Sequence, residues 1–312
     1  MTSSSNQAAR LAYVFPGQGT QMVGMGLDVY QSFPEAREVF RQADEALDFP
    51  LSRLCFEGPA EELSRTINTQ PAVLTVSVAC FLAMHREGRD GMPLFVAGHS
   101  LGEYTALVIA KGLDFRDAVR LVRERGRLME EAGRLHPGGM AAVMGLDEAS
   151  LEEVCQETGA QIANVNSPEQ IVISGGRETM AWAMDLARAR GARRVVPLEV
   201  SGAFHSNLMQ PAAEGMARII DQYPVRDPLL PVVANTTARP LTTAEDIRGE
   251  LVRQMCSCVQ WRHSVEYMAH RGVSTFVEVG PGRVLTGLIK RTVAEARLLN
   301  IGDALSVKNM DA

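Results

Sequence analysis

The sequence contains few cysteines, few aromatic residues and no excess of positive charge. Its 312 residues include 5 cysteines and 5% aromatic residues, and 31 basic against 37 acidic side chains give a formal net charge of −6. Cys256 and Cys258 are close together, but their spacing fits neither a zinc ligand pair nor a C-x-x-C redox motif. We therefore expect reduced thiols without a metal or a bound cofactor. The acidic balance argues against a general nucleic-acid-binding protein.

Long apolar runs and targeting segments are also lacking. No stretch approaches the ~20 apolar residues of a membrane span, and residues 1–7 lack the charged and apolar regions of a signal peptide. No heptad pattern or large apolar surface run is visible, which favours a monomer without membrane contact. The sequence thus predicts a cytoplasmic protein with enough apolar residues for one large domain, or for one large and one smaller domain.

The most informative motif is G-x-S-x-G around Ser100. An apolar run at residues 93–97 leads into Gly98, and a helix-forming segment follows Gly102. This order is typical of a nucleophile elbow, in which glycines allow a sharp strand-to-helix turn that exposes the serine hydroxyl. An ordinary glycine-rich turn with a capping serine is the alternative for the pentapeptide alone.

A second glycine-rich turn follows the apolar run at residues 11–15 and contains Gln18. Serine acyl transfer needs two N–H groups directed at the oxyanion, one from the residue after the nucleophile and one from a separate loop. The main-chain N–H groups of Leu101 and Gln18 fit these two places. A plain loop is the alternative for residues 16–21.

A serine hydroxyl needs a general base, and His205 is the candidate. It lies in a glycine-containing loop after a strand-like run at residues 195–200. His99 is next to Ser100 in sequence, so its side chain should point away from the nucleophile, and we place it in the wall of the substrate cleft. The four remaining histidines are interpreted as structural or solvent-facing.

These residues belong to a series of motifs that resembles the malonyl-CoA:acyl carrier protein transacylases of fatty acid and polyketide synthesis. The resemblance covers nearly the whole chain. Its motifs are F-P-G-Q-G at 15–19, G-H-S-L-G at 98–102, R-G-R-L-M at 125–129, N-V-N-S-P at 164–168, F-H at 204–205, V-Q-W at 259–261 and E-V-G-P-G at 278–282. Seven motifs in the family's order are far more specific than any one of them.

The resemblance implies a role for each matching residue. Ser100 matches the acylated serine and His205 its base, while Gln18 and Leu101 match the oxyanion donors. In this family a backbone carbonyl orients the histidine, and Gln260 is the residue expected to supply it.

The substrate residues implied by the resemblance are Arg125, Phe204 and Asn166. Arg125 matches the arginine that binds the malonyl carboxylate, and a guanidinium suits this role because it forms two parallel hydrogen bonds. From the residues alone, Arg125 would be a solvated charge on the helix of residues 115–131. Phe204 beside the histidine resembles the malonyl-type signature and leaves little room for an α-methyl group. Asn166 falls in a motif that borders the same cleft.

The implied substrates are malonyl-CoA and an acyl carrier protein, and the implied reaction is ping-pong transfer through a malonyl-serine ester in fatty acid synthesis. A free-standing acyltransferase of a polyketide synthase is the alternative. A serine thioesterase would need an acid between the serine and the histidine, for which Asp185 and Glu199 are the available residues. A catalytically silent docking domain is the non-enzymatic alternative.

Local basic clusters are the predicted contacts for these acidic partners. One cluster comprises Arg188, Arg190, Arg193 and Arg194, and the other comprises Lys290 and Arg291. A solvated surface is the ordinary interpretation of such clusters.

The order of strand-like and helix-like segments predicts two parts of different architecture. Between residues 135 and 200 the order is β-α-β-β-α-β, the ferredoxin-like unit. The flanking residues alternate apolar strands, including 232–235 and 275–279, with long amphipathic helices, including 71–86 and 207–223. This order favours a parallel sheet covered on both faces. We expect an α/β-hydrolase-like large domain of residues 1–134 and 201–312, with a ferredoxin-like subdomain of 135–200 inserted. The active site should lie in the cleft between them.

Overall fold

The structure is a computed structural model and describes residues 10–310, so residues 1–7, on which the signal-peptide expectation rests, lie outside the described part. Ten strands are assigned within it. They are β1 (Leu11–Phe15), β2 (Phe95–Gly98), β3 (Gly138–Met144), β4 (Gln161–Ser167), β5 (Gln170–Gly176), β6 (Arg194–Pro197), β7 (Val232–Val233), β8 (Pro240–Leu241), β9 (Thr275–Val279) and β10 (Arg297–Ile301).

The α-helices connect and cover these strands. They are α1 (Leu27–Ser32), α2 (Pro34–Leu47), α3 (Leu51–Glu57), α4 (Ala60–Ser64), α5 (Thr66–Arg86), α6 (Gly102–Ile109), α7 (Phe115–Leu135), α8 (Glu148–Thr158), α9 (Arg177–Ala189), α10 (Gln210–Ile220), α11 (Ala244–Arg253), α12 (Trp261–His270), α13 (Val284–Thr292) and α14 (Ala304–Asn309). A short 3-10 helix, Asn207–Met209, precedes α10.

The larger sheet has six strands in the order β10-β9-β1-β2-β7-β8, parallel except for the β7–β8 pair. Alternate residues of β1 pack into different cores, with Tyr13 and Phe15 on one face and Ala12 and Val14 on the other. A sheet buried on both faces explains why its strands are apolar throughout rather than alternating. This confirms the predicted parallel sheet with helices on both sides.

The smaller sheet has four strands in the order β4-β5-β3-β6, and every neighbouring pair is antiparallel. Helix α8 follows β3 and helix α9 follows β5, which gives the predicted β-α-β-β-α-β order. Val259 pairs with β4 through two main-chain hydrogen bonds, of 2.9 Å from Val165 N and 2.8 Å to Ala163 O. The small sheet is therefore fixed to the segment that precedes α12. The domain boundaries at residues 134 and 200 stay a prediction.

Helix α5 departs from two sequence expectations. It begins at Thr66 rather than at Pro71, since Glu130 on α7 accepts a hydrogen bond from the N–H of Ile67 and stabilises the first turn. By length and composition it could also cross a membrane, contrary to the expectation that no stretch approaches a span. Most of its residues are buried inside the protein, as in a core helix.

The segments flanking the predicted base also differ from expectation. Strand β6 ends at Pro197, although the apolar run extends to Val200, and the helix predicted for 207–223 is divided into the 3-10 turn and α10. Strand β7 comprises two residues instead of the four expected at 232–235. The polar groups of Asn235 are directed to other partners, described below, so this residue does not continue the strand.

Candidate active site

The turn between β2 and α6 has the geometry of a nucleophile elbow. Ser100 adopts a left-handed conformation with φ of 50°, which is uncommon for a residue with a side chain. A Cβ at Gly98 would lie 2.0 Å from the backbone of Gly102, and a Cβ at Gly102 would lie 2.1 Å from the carbonyl oxygen of Phe15. Only glycine therefore permits this close approach of β2, α6 and β1.

Ser100 and His205 are in direct contact. Ser100 Oγ lies 2.8 Å from His205 Nε2, and His205 Nδ1 lies 2.8 Å from the main-chain oxygen of Gln254. A carbonyl can only accept, so Nδ1 carries the proton and Nε2 offers its lone pair to the serine hydroxyl. The pair is thus arranged for proton transfer from serine to histidine.

The expectation that the Gln260 carbonyl orients His205 is wrong, because Gln254 occupies that place. The oxygen of Gln260 instead accepts hydrogen bonds from Ser264 at the start of α12. Its N–H donates to the oxygen of Asn235 at 2.7 Å. Gln260 therefore fixes the start of α12 and the main chain at Asn235.

No acid takes the third position expected of a serine hydrolase. Asp185 and Glu199, the two candidates from the sequence, are both exposed, and Asp185 pairs with Arg188 at 2.7 Å. The partner of His205 Nδ1 is a neutral carbonyl. The arrangement is a serine–histidine pair, which argues against the three-residue hydrolase pattern.

Burial keeps His205 neutral. The side chain is 5% exposed, and its pKa is lowered from 6.5 to about 3, chiefly by burial and further by the positive charge of Arg125. The hydrogen bond to Gln254 acts in the opposite direction. A neutral histidine at physiological pH is the form that can accept a proton.

Arg125 lies on the buried face of α7, so its interpretation as a solvated charge is wrong. It is 1% exposed, and its guanidinium donates to Gln70 Oε1 at 2.9 Å, Gln254 Oε1 at 2.7 Å and Ser100 Oγ at 3.0 Å. Within residues 10–310 no carboxylate lies within ion-pair distance of it, and Nε has no partner. Burial lowers its pKa. A buried cation with uncommitted bonding capacity beside the nucleophile is suited to an anionic substrate group.

Two residues with unpaired main-chain N–H groups line the same cavity, within the described part of the chain. In the part of the chain that the structure describes, neither Gln18 N–H nor Leu101 N–H donates to a protein acceptor, and both residues line the cavity at Ser100. The side chain of Gln18 is held by a 3.3 Å hydrogen bond from Nε2 to Thr66 Oγ1. Free N–H groups from two separate turns are the arrangement required for an oxyanion hole.

A cavity of about 200 Å³ surrounds Ser100 and includes all the predicted substrate residues. Phe204 is buried in its wall. Asn166 Oδ1 lies 2.8 Å from His99 Nε2, and Asn166 Nδ2 donates to Gln170 at 3.0 Å. Burial lowers the pKa of His99. A larger groove of about 790 Å³ lies between α2, α5 and the end of α6 and contains none of the predicted site residues.

Besides Gln70, which accepts from Arg125, three polar residues of the site were missed from the sequence. Asn235 Oδ1 accepts the N–H of Ser100 at 2.6 Å, and Gln254 contacts both His205 and Arg125. Glu103 accepts hydrogen bonds from Asn235 and Gln254. Glu103 belongs to the segment after the elbow glycine, which was a signal that it lies near Ser100. No local pattern marked the other two.

The predicted basic clusters are only partly available. Arg190 pairs with Glu153 and Glu157, both at 2.9 Å. Arg193, Arg194 and Arg291 line one common groove together with Gln170, which also lines the cavity at Ser100. The two clusters therefore meet beside the cleft, whereas Arg190 is engaged elsewhere.

Comparisons with known proteins agree over the whole described fold. A family model described as the acyl transferase domain matches residues 12–310. The malonyl CoA-acyl carrier protein transacylase of Bacillus subtilis is 44% identical over 305 residues, which cover 96% of each chain. The crystal structure of an acyl-carrier-protein S-malonyltransferase from Bartonella henselae is 42% identical with a TM-score of 0.93, covering 96% of this chain and 97% of that one. A malonyl-transacylase solved in complex with a type II PKS acyl-carrier protein is 41% identical with a TM-score of 0.93, covering 97% and 99%.

Proposed function

Because this chain belongs to the acyl transferase domain family, we propose that it transfers a malonyl group from malonyl-CoA to the phosphopantetheine thiol of an acyl carrier protein. The observation that carries the choice of acyl group is the buried guanidinium of Arg125, 3.0 Å from Ser100 Oγ and without a carboxylate partner among residues 10–310. A malonyl carboxylate supplies the missing negative charge.

In the first half-reaction, Ser100 Oγ attacks the thioester carbon and His205 Nε2 takes the hydroxyl proton. The N–H groups of Gln18 and Leu101 bind the oxyanion of the tetrahedral intermediate. When the intermediate collapses, the C–S bond breaks and His205 returns the proton to the departing CoA thiol. The product is a malonyl ester of Ser100.

The second half-reaction runs the same steps in reverse. His205 Nε2 takes the proton of the carrier's thiol, the sulfur attacks the ester carbon, and the proton passes to Ser100 Oγ as the ester bond breaks. One thioester replaces another, so the transfer involves little net change in free energy.

Intact-protein mass spectrometry tests the proposal directly. Brief incubation with malonyl-CoA should add one malonyl group to Ser100, and a phosphopantetheinylated carrier should then remove it and gain the same mass. An adduct that is lost equally fast to water without a carrier would instead identify a thioesterase.

We further propose that Phe204 favours malonyl over methylmalonyl. Its ring is buried beside His205 in the wall of the cavity, where an α-methyl group would require space. Discrimination of a single methyl group is worth only about 1–3 kcal/mol. Phe204→Ala should therefore raise the methylmalonyl-to-malonyl ratio of kcat/KM, and an unchanged ratio would refute this role.

Arg194 and Arg291 are the proposed contacts for the acidic carrier. Both line the groove beside the cleft, and neither makes an ion pair within the described residues, unlike Arg190. Reversing their charge should lower kcat/KM for the carrier at low salt, with Arg190→Glu as the comparison. Equal effects at all three positions would contradict a localised docking surface.

We propose that the acyl carrier protein of fatty acid synthesis is the partner. We also propose that the enzyme is a monomer and acts in the cytoplasm. A carrier of a polyketide synthase is the second candidate, favoured by the similarity to the malonyl-transacylase in complex with such a protein. The kcat/KM values for the two carriers from the source organism distinguish these candidates. Analytical ultracentrifugation tests the monomer.

A further inference from the structure

A buried carboxylate, Glu103, lies beneath the nucleophile turn and has no role in the reaction described above. It is 0% exposed and lies in the first turn of α6. Oε1 accepts hydrogen bonds from N and Nδ2 of Asn235 at 2.8 and 3.2 Å, and Oε2 accepts one from Nε2 of Gln254. All these partners are donors. A protonated carboxyl would need an acceptor for its own proton, so the surroundings match the ionised acid.

Asn235 connects this carboxylate to the N–H of the nucleophile. Its Oδ1 accepts the Ser100 N–H at 2.6 Å, and its Nδ2 also donates to Gly98 O at 2.7 Å. An asparagine amide is free to rotate by 180° unless a partner distinguishes its oxygen from its nitrogen. Glu103 and Gly98 O make this distinction together, because both can only accept and therefore bind the nitrogen side.

Gln254 connects the same carboxylate to the other side of the nucleophile. Its Nε2 donates to Ser100 O at 3.0 Å as well as to Glu103. Its side-chain oxygen is then free to accept from Arg125, while its main-chain oxygen accepts from His205. The N–H and the C=O of Ser100 are thus both held by amides whose nitrogen atoms Glu103 binds.

These hydrogen bonds hold a strained backbone conformation at Ser100. A non-glycine residue in an unfavourable backbone region is strained and persists only when its surroundings hold it there. Ser100, with φ of 50°, is such a residue. Asn235 and Gln254 supply side-chain hydrogen bonds to its N–H and its C=O, and the main-chain N–H of Glu103 also donates to Ser100 O at 3.2 Å.

We propose that Glu103 is a positioning residue, whose carboxylate orients Asn235 and Gln254 so that they hold Ser100 with Oγ directed at His205. The proposal depends on the proposed function only in taking Ser100 as the nucleophile. Burial and the neighbouring Glu250 raise the pKa of Glu103, and the bound donors and Arg125 oppose this rise. The position of Ser100 therefore depends on a side chain that touches neither Ser100 Oγ nor substrate.

Glu103→Gln is the sharpest test because it keeps the shape and replaces one acceptor oxygen by a donor. The new NH₂ group must face either Asn235 or Gln254, so one of the two amides turns away and Ser100 loses a hydrogen bond. Two rates are measured: acylation of Ser100 by malonyl-CoA, and inactivation by phenylmethylsulfonyl fluoride. We expect both rates to fall, by up to about 10²-fold, as for a misplaced reacting group. The sulfonyl fluoride carries no carboxylate, so its reaction does not depend on carboxylate binding by Arg125.

Glu278→Gln is the matched control. Glu278 is 1% exposed and accepts hydrogen bonds from the N–H groups of Leu285 and Thr286 at 3.0 and 2.7 Å, from Thr286 Oγ1 at 2.7 Å and from Asn300 Nδ2 at 3.0 Å. No hydrogen bond joins it to Ser100, His205 or Arg125. The Glu278→Gln variant should have a lower Tm, as Glu103→Gln does, but an unchanged rate of inactivation by the sulfonyl fluoride. Asn235→Ala, which removes the acceptor of the Ser100 N–H, should slow both reactions and decides the question if Glu103→Gln does not fold.

The outcomes separate cleanly. A Glu103→Gln enzyme with wild-type sulfonyl fluoride labelling overturns the proposal, whether only Tm falls or only malonylation slows. In the second case Glu103 acts through Arg125 alone. If the native enzyme does not react with malonyl-CoA but its sulfonyl fluoride labelling depends on Glu103, the proposed substrate is wrong and the positioning role stands.

Discussion

The two sheets contribute to the site in different ways. The six-stranded sheet ends, at the carboxyl edge of β1, β2 and β7, next to Gln18, Ser100 and Asn235, as expected where parallel strands converge on one edge. The four-stranded sheet contributes Asn166 and Val172 to the opposite wall of the cavity. The large sheet positions the reacting groups, and the small sheet forms part of the wall of the cavity.

Charge separates the two regions further. The buried ionisable groups Glu103, Arg125 and His205 all lie on or beside elements of the large sheet. The part of the small sheet that lines the cavity presents amides and apolar side chains, such as Met140 and Gln170. Substitutions on the large-sheet side should therefore change kcat, and substitutions on the small-sheet side should change mainly KM.

Ser100→Ala should give the largest effect and defines the reacting side of this comparison. Removal of the nucleophile should abolish the malonyl adduct and lower kcat by at least about 10⁴-fold, as in other serine enzymes. Quench-flow with intact-mass detection measures the adduct. Ser174→Ala, in a buried serine of the small sheet, is the control and should acylate normally. Labelling of Ser100→Ala at the native rate would identify a different nucleophile.

Arg125→Ala should give the next largest effect and should depend on the acyl group. Loss of the charged hydrogen bonds to the malonyl carboxylate should lower kcat/KM for malonyl-CoA by about 10²–10³-fold. Acetyl-CoA lacks that carboxylate and should lose much less. Arg125→Lys keeps the charge but not the planar pair of donors. Its kcat/KM for malonyl-CoA should lie between those of the native enzyme and Arg125→Ala. Equal losses for both acyl groups would contradict carboxylate binding.

The pH dependence of stability should show a smaller effect that also belongs to the large-sheet side. The pKa of His205 is about 3 in the folded protein, below its ordinary 6.5, so the unfolded state binds more protons between these values. His205 therefore favours folding above pH 6.5, and this contribution is lost as the pH falls toward 3. Urea unfolding of His205→Gln should show a weaker pH dependence across this range than the native protein. Identical pH dependence of the two proteins would contradict the lowered pKa.

The sequence predicted the secondary-structure elements and those functional side chains that lie in recognisable local motifs. Strands β1 and β9 have the expected bounds, and Ser100, His205 and Arg125 meet although up to 105 residues separate them. The family resemblance was needed for Arg125, because the charged face of α7 surrounds it in the sequence. Only the folded helix shows that this arginine faces inward.

The supporting groups could not be predicted for a physical reason. Gln254 contacts Arg125 across 129 residues and Ser100 across 154, so nothing in its neighbours indicates its partners. The choice of Gln260 was wrong because both glutamines precede α12 and only the chain path decides which carbonyl reaches His205. Asn235 was expected within a strand, since its apolar neighbours suit a strand and its amide bonds are non-local.

Asn166→Ala should give the smallest effect and tests the wall side of the comparison. The change removes the hydrogen bonds to His99 and Gln170 but no charge and no reacting atom. The unpaired groups left behind should lower stability by about 1–3 kcal/mol. KM for malonyl-CoA should rise by several-fold while kcat changes little, as measured by steady-state transfer to the carrier. A fall in kcat as large as that of Arg125→Ala would mean that the small sheet takes part in the chemical step, since a wall that only shapes the cleft acts before the thioester reacts.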